Sequence, residues 1–415
     1  MTSSADPCRH PELLSLETAL ARILSAVAPL PGAEWVYLSE ANGRILAHDL
    51  HAPMPLPAFT NAAMDGYALR AGDGNRLRVV GTAWAGRPFS GWVETGTCVR
   101  IFTGAPLPEG ADAVVMQEQV GREGDTIHLH VPVSPGDNVR HAGEDLPQGE
   151  RLLPGGQWLQ AADLGLLAAA GVSQVPVRLR PRVAFFSSGD ELRPLTEPLR
   201  PGQIHDSNRY ALQGLLRELP VVASDLGTQA DDLDRLSACL RTAAENADLV
   251  LSTGGASVGE ADLLRQALDR AGGEIHLWRL ALKPGKPLIF GRLGRAWYFG
   301  LPGNPVSVHV TFQQLVRPAL WRLAGGRPYR PLRLQVPCTH PLKKAPGRLE
   351  FQRGWLHHDH QGRQAVTGLS GQGSHQLASL CRANCYIVLP AESAGAAAGE
   401  MVTVEPFDTR LFDAD

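Results

Sequence analysis

Four segments of this sequence combine residue types suited to holding an anion. Ser252-Thr-Gly-Gly-Ala-Ser-Val-Gly-Glu-Ala-Asp262 is a Gly-rich stretch between an apolar run and a helical pattern. Such a loop turns backbone N–H groups toward a phosphate, aided by the helix dipole. It lacks the Gly-Lys-Ser/Thr ending of a Walker A loop and does not match G-x-G-x-x-G. Asp262 stands near the helix start, where a carboxylate can cap the helix or hold Mg²⁺ beside phosphates. Lys283-Pro-Gly-Lys286-Pro fixes two ammonium groups on a stiff turn, and their mutual repulsion is relieved by an anion between them. The plain alternative is a solvated basic turn. Ser187-Ser-Gly-Asp190-Glu191 offers small residues followed by carboxylates, and Leu301-Pro-Gly-Asn-Pro305 enters a helix on proline.

These segments need a frame. Short apolar strands are expected over 183–186, 221–226, 249–252 and 296–301, alternating with helices over 209–219, 231–245, 261–271 and 306–323. Alternation of this kind predicts a parallel sheet with helices on both faces. In such sheets ligands bind outside the carboxyl ends of the strands, which is where the segments after 183–186, 249–252 and 296–301 fall. Before this region, Pro11–Val27 has helical apolar spacing, and 161–170 is a second helix closed by Gly171. Pro53, Pro55 and Pro57 force an extended stretch. Short β runs over 77–80, 98–102, 113–117 and 126–131 predict a small inserted β domain. Beyond the linker 325–331, runs over 332–336, 349–355 and 385–388 predict a C-terminal β domain.

Composition bounds the function. The chain has 415 residues, which suggests about three domains. Lys+Arg 39 against Asp+Glu 42 argues against a sequence-blind nucleic-acid binder. With 20% charged and 44% hydrophobic residues, wholesale disorder is not expected. Gly 44 and Pro 32 are high, and no collagen-like period accompanies them. Six scattered cysteines read as reduced thiols, and no stretch approaches a membrane span, so a soluble, cytoplasmic protein is expected. His357, His358 and His360 read as a hairpin tip without a functional metal.

Taken together, AMDGYA, RIFTGAP, NVRHAGED, SSGDEL, GQIHDSN, STGGASVGEAD, KPGKP, LPGNPVS, FQRG and GQGSH occur in one order along the chain. This set resembles the molybdenum insertase family, which includes the gephyrin E domain, and covers nearly the whole chain. The resemblance implies an elongated homodimer whose subunit has an α/β domain, an inserted β domain, a linking region and a C-terminal β-barrel-like domain. The expected boundaries are 10–47 and 148–180 for the linking region, 48–147 for the insert, 181–327 for the α/β domain and 328–415 for the C-terminal domain.

The resemblance also implies the chemistry: molybdate enters adenylylated molybdopterin with Mg²⁺, and AMP leaves. Gly254, Gly255, Ser257 and Asp262 would hold phosphates and metal. Glu191 and Asp231 are further acidic candidates, with Asp231 a second metal ligand. Lys283, Lys286, Ser257, Arg353 and Ser374 would form a molybdate pocket. Asp65, Thr103 and Asp145 would reach the partner's site, with Asp65, Glu191 and Asp262 as the catalytic candidates. Thr60, Ala62 and Arg279 depart from the residues common at their positions. Implied partners are a molybdopterin adenylyltransferase and apo-molybdoenzymes, with no nucleic acid and no membrane. Two other readings are a nucleotide or pterin phosphoanhydride hydrolase on the same α/β domain, and a structural scaffold.

Overall fold

A computed structural model describes residues 13–254 and 263–407. The chain forms two compact units. One contains Trp35–Asn42 and Leu46–Val177; the other contains the remaining described residues. Helix α1 (Leu16–Ala26) starts later than its apolar spacing predicts, because the Ser15 hydroxyl accepts the Thr18 N–H at 3.1 Å and caps it there. Its buried face, Leu16, Ala19 and Ile23, joins the core of the α/β unit.

The unit ending at Val177 is built on β1 (Asn61–Ala62), β2 (Gly66–Leu69), β3 (Arg76–Ala83), β4 (Thr97–Ile101), β5 (Ala113–Met116), β6 (Val120–Glu123), β7 (Thr126–Leu129) and β8 (Val139–Arg140). Six strands form one sheet in the order β5-β2-β4-β3-β7-β6. Its two faces carry separate cores, one around Ala68, Val99 and Ile101, the other around Tyr67, Cys98 and Ile127. That alternation is the period-2 signal of the sequence. β1 pairs with β8 apart from this sheet. Helix α2 (Ala161–Ala169) follows, where the sequence places one.

The other unit contains β9 (Arg182–Ser188), α3 (Ser207–Arg217), β10 (Val222–Gln229), α4 (Leu233–Asn246), β11 (Leu249–Thr253), α5 (Leu263–Arg270), β12 (Gly273–Trp278), β13 (Leu282–Lys283), β14 (Ile289–Leu293), β15 (Ala296–Leu301), α6 (Pro305–Thr311) and α7 (Arg317–Leu323). The central sheet runs β10-β9-β11-β15-β14-β12. The first four strands are parallel, as expected. The sheet as a whole is mixed, however, because β14 returns antiparallel to β15 through Gly294-Arg295 and β12 pairs antiparallel with β14. The fully parallel expectation is corrected there: a two-residue connection can join only antiparallel neighbours.

Residues along the central strands alternate between two cores. Phe185, Leu251 and Phe299 face α1, α3 and the α6–α7 segment; Phe186, Val250 and Tyr298 face α4 and α5. Burial on both faces explains the unbroken apolar runs. The helix expected over 306–323 is continuous but widens to a π-turn at Phe312–Val316. Pro318 lacks the N–H that a regular turn needs, and the widening accommodates it.

The C-terminal strands are β16 (Leu334–Pro337), β17 (Leu349–His358), β18 (Gln364–Gly368), β19 (Cys385–Leu389) and β20 (Met401–Pro406), with α8 (Leu377–Arg382) between β18 and β19. They join in the order β13-β17-β19-β20-β16, and β18 pairs with β17. Cys338, just past β16, bridges Val366 of β18, so the sheet curls back on itself into a half-barrel. His358 pairs with Gln364 across the β17–β18 hairpin, placing the histidine cluster at its tip. Burial pushes the Cys98 and Cys385 thiols up to about 12, which keeps them protonated and unreactive. Among the described residues no helix is long and apolar enough to cross a membrane.

Candidate active site

The carboxyl ends of β9, β11 and β15 meet at glycines. A Cβ on Gly254 would lie 2.1 Å from the Ser188 carbonyl oxygen, and Gly254 has φ +91°. A Cβ on Gly303 would lie 3.7 Å from the Gly254 Cα. Three strand-end loops therefore close on one point, and only a residue without a side chain fits at Gly254. Gly255, Ser257 and Asp262 fall outside the described residues.

Beneath this point lies a polar network. The Ser187 hydroxyl donates to Asp206 Oδ1 at 3.0 Å, and the Thr228 hydroxyl to Asp206 Oδ2 at 3.0 Å. Asp206 also caps α3 by accepting the Arg209 N–H at 3.1 Å. Asn208 Nδ2 donates to the Gly303 carbonyl at 2.7 Å and to Thr253 Oγ1 at 3.4 Å. Asn208 Oδ1 and Ser188 Oγ are buried here without a hydrogen-bond partner among the described residues. Asp206 and Asn208 lie in the GQIHDSN motif, within which the sequence marks neither as a site residue. The available signal was an Asp two residues before Asn208 at a helix start, the pattern of an N-cap.

The network makes a stability prediction. Asp206→Ala leaves buried hydroxyls at Ser187 and unpaired donors at Thr228 and α3. It should lower the stability of the α/β unit by about 3 kcal/mol. Chemical denaturation followed by a probe in that unit checks this; the unit ending at Val177 should unfold as before.

Glu191 and Asp231 come together with Asp190 at the loop after β9. The Asp231 N–H donates to Asp190 Oδ1 at 3.1 Å. Partial enclosure raises the Asp231 carboxyl above its usual range, and the charges of Asp190 and Glu191 raise it further. Among the described residues no three His, Cys, Asp or Glu side chains close on a point that could hold a metal by themselves.

The basic turn follows β13, which pairs with β17. A Cβ on Gly285 would be 2.7 Å from Thr311 Cγ2, so the turn packs on α6. Lys283 Nζ is 3.2 Å from Glu350 Oε1 of β17. The lysine pair is therefore not two free cations: Lys283 already has a carboxylate. Lys286 makes no side-chain hydrogen bond or ion pair among the described residues. Arg353 is buried, and its guanidinium donates to Ser379 Oγ and to the Gly371 and Gly373 carbonyls at 3.1, 2.7 and 3.1 Å. It thereby fixes the loop that carries Ser374. The Ser374 carbonyl accepts the Val306 N–H of α6 at 3.0 Å. The lysine turn and the Ser374 loop are thus both tied to α6, which Gly303 precedes.

In the other unit three motif segments converge. The Asp65 carboxylate accepts both the N–H and the hydroxyl of Thr103, at 2.8 and 2.7 Å. These bonds, hydroxyl first, and the nearby Arg100 hold its carboxyl below the usual range. Gly104 N–H donates to the Ala62 carbonyl, and Ala63 N–H to the Asn138 carbonyl. Asp145 lies on an exposed turn whose backbone is held by Leu56, and its carboxylate makes no side-chain bond among the described residues. Thr60 Oγ accepts the Ala142 N–H at 3.2 Å, so this departure still serves the turn. Ala62 is fully buried.

Comparison with known proteins follows this layout. Residues 14–171 match the "MoeA N-terminal region (domain I and II)", 184–322 a "Probable molybdopterin binding domain", and 335–407 the "MoeA C-terminal region (domain IV)". A molybdopterin molybdenumtransferase of Haemophilus influenzae is 41% identical over 404 residues, covering 96% of this chain and all of the relative. One from a Nostoc species is 37% identical, covering 89% of this chain and 88% of its own length. The crystal structure of a molybdopterin biosynthesis moeA protein from Pyrococcus horikoshii is 32% identical with a TM-score of 0.83, covering 95% of this chain and all of that one. Matched along nearly its whole length by motif, sequence and fold, the chain belongs to the molybdopterin molybdenumtransferase family.

Proposed function

We propose that this protein is a transferase that inserts molybdate into adenylylated molybdopterin with release of AMP. The observation that carries the reading is the convergence of the β9, β11 and β15 loops at Gly254 and Gly303, with carboxylates on the loop after β9 and the lysine turn packed on α6, the helix that follows β15. A phosphoanhydride suits the first group and an oxyanion the second.

The backbone around Gly254 would receive the phosphates, and the Ser188 hydroxyl beside it can donate to them. Lys286, Lys283 and the Ser374 loop would hold molybdate near the dithiolene sulfurs, so that insertion becomes effectively intramolecular. Carboxylate oxygens are the right donors for Mg²⁺, which commonly takes one or two of them together with substrate phosphates. The raised Asp231 carboxyl fits such an ion, because a cation relieves its crowding by Asp190 and Glu191. Asp231, with Asp262, would hold it, and when bound it neutralises the phosphoanhydride. Two copies of the chain would work together, with Asp65, Thr103 and Asp145 of one completing the site of the other. Purified protein given adenylylated molybdopterin, Mg²⁺ and molybdate should form AMP and a molybdenum-loaded pterin; failure to form the loaded pterin would contradict the reading.

The Asp231 carboxyl also makes a pH prediction. Its folded-state pKa is raised above the unfolded value near 3.8. The folded state therefore binds more protons, and its contribution to stability falls as pH rises through that window. Asp231→Asn should remove this fall. Mg²⁺ should raise the melting temperature of the unsubstituted chain near neutral pH and do so less in Asp231→Asn. Equal Mg²⁺ shifts in both would remove Asp231 from the metal role.

A further inference from the structure

Glu350 is a buried carboxylate that the proposed reaction does not use. It lies opposite Lys283 in the register between β13 and β17, with Leu282 opposite Leu349. Residues two apart on a strand share a face. Gln352, on the same face, donates its Nε2 to Glu350 Oε1 at 3.0 Å and to the Lys343 carbonyl at 2.8 Å. The Glu350 side chain is 5% exposed, whereas that of Lys283 is 45% exposed. The carboxylate is thus fixed within the sheet, and the lysine is the partner able to move.

An oxyanion that takes Lys283 must pull it from Glu350. That step leaves the buried carboxylate with the Gln352 amide as its remaining hydrogen-bond partner among the described residues and without its ion pair, which is costly. The same negative charge repels the incoming dianion. Burial lowers the Arg353 guanidinium below its usual range, and the Glu350 charge opposes that shift, so Glu350 acts on more than one cation of the cluster.

We propose that Glu350 is a positioning counter-ion that competes with the oxyanion for Lys283 and holds down the affinity of the pocket. In the empty pocket Lys283 is retained by Glu350 and Lys286 makes the first contact. When the oxyanion leaves for the pterin, Lys283 returns to Glu350, which favours release. This inference rests on the oxyanion-pocket reading above.

The test is calorimetric titration of the full chain with molybdate alone, and separately with sulfate, at fixed ionic strength and without pterin. Glu350→Gln keeps the shape and removes the charge. It should tighten molybdate and sulfate binding about tenfold, lower the KM for molybdate and leave kcat no higher. In a Lys283→Gln background the same substitution should have little effect, because the competition has gone. Unchanged or weaker binding by folded Glu350→Gln, or tightening that persists without Lys283, would overturn the inference. If Glu350→Gln does not fold, Lys283→Gln and Lys286→Gln decide. Loss of Lys283 should weaken molybdate binding less than loss of Lys286, and equal losses overturn the competition. Molybdate binding unaffected by Lys286→Gln would remove the pocket reading itself, whereas a Lys286 effect without a Glu350 effect removes only this inference.

Discussion

Lys286→Ala is expected to raise the molybdate concentration needed for half-maximal AMP release by about 100-fold, the scale of one lost charge-assisted contact to a dianion. Binding of adenylylated molybdopterin should change less than about twofold. The reason is position and partnership. The KPGKP turn is packed on Thr311 of α6, and α6 is tied to the Ser374 loop through Val306. Among the described residues Lys286 has no ion pair, whereas Lys283 is paired with Glu350. High molybdate should restore most of the turnover, because the substitution removes binding and leaves the pterin end intact. A drop in pterin affinity equal to the drop in molybdate affinity would contradict a separate oxyanion pocket.

Gly254→Ala should lower AMP release by more than about 100-fold while the protein still folds. The added Cβ would meet the Ser188 carbonyl at 2.1 Å, and the backbone at φ +91° is one that alanine rarely adopts. Either the β9 and β11 loops separate or Gly254 leaves its place above Asn208 and Ser188. A shift of about 1 Å at reacting groups is enough for an effect of that size. The unit ending at Val177 shares none of these contacts and should keep its own stability. Near-normal turnover in Gly254→Ala would mean that the phosphates are not received at this junction.

Much of this arrangement is legible in the sequence. The apolar runs at 183–186, 249–252 and 296–301 become central strands because both of their faces are buried, so no polar residue interrupts them. The ordered motifs identify the loops at their ends. Other parts are hidden. β14 is an Ile-Phe pair followed by Gly291, too short and too broken to read as a strand, and with it the antiparallel edge of the sheet is lost. The convergence of AMDGYA, RIFTGAP and NVRHAGED depends on backbone bonds between residues some 40 to 75 positions apart, which no local pattern encodes. Glu350 looks like a lone acid between Leu349 and Phe351; only its register against Lys283 gives it meaning. Arg353, assigned to the molybdate pocket by its motif, also donates to the Gly371 and Gly373 carbonyls, a contribution to the loop that carries Ser374 that no local pattern shows.

The Gly and Pro excess has the same explanation. Gly254, Gly285 and Gly303 stand where backbone must approach backbone or a packed helix, and Pro305 starts α6 beside the Ser374 loop.

The coupling of AMP release to molybdate tests the central claim most directly. Purified protein, adenylylated molybdopterin and Mg²⁺ should be assayed with and without molybdate, counting AMP formed and molybdenum retained on the pterin. One AMP for each molybdenum, with release much slower when molybdate is omitted, is the expected result. AMP release at the same rate without molybdate, or with no molybdenum on the pterin, would mark the protein as a phosphoanhydride hydrolase and contradict the insertion reading.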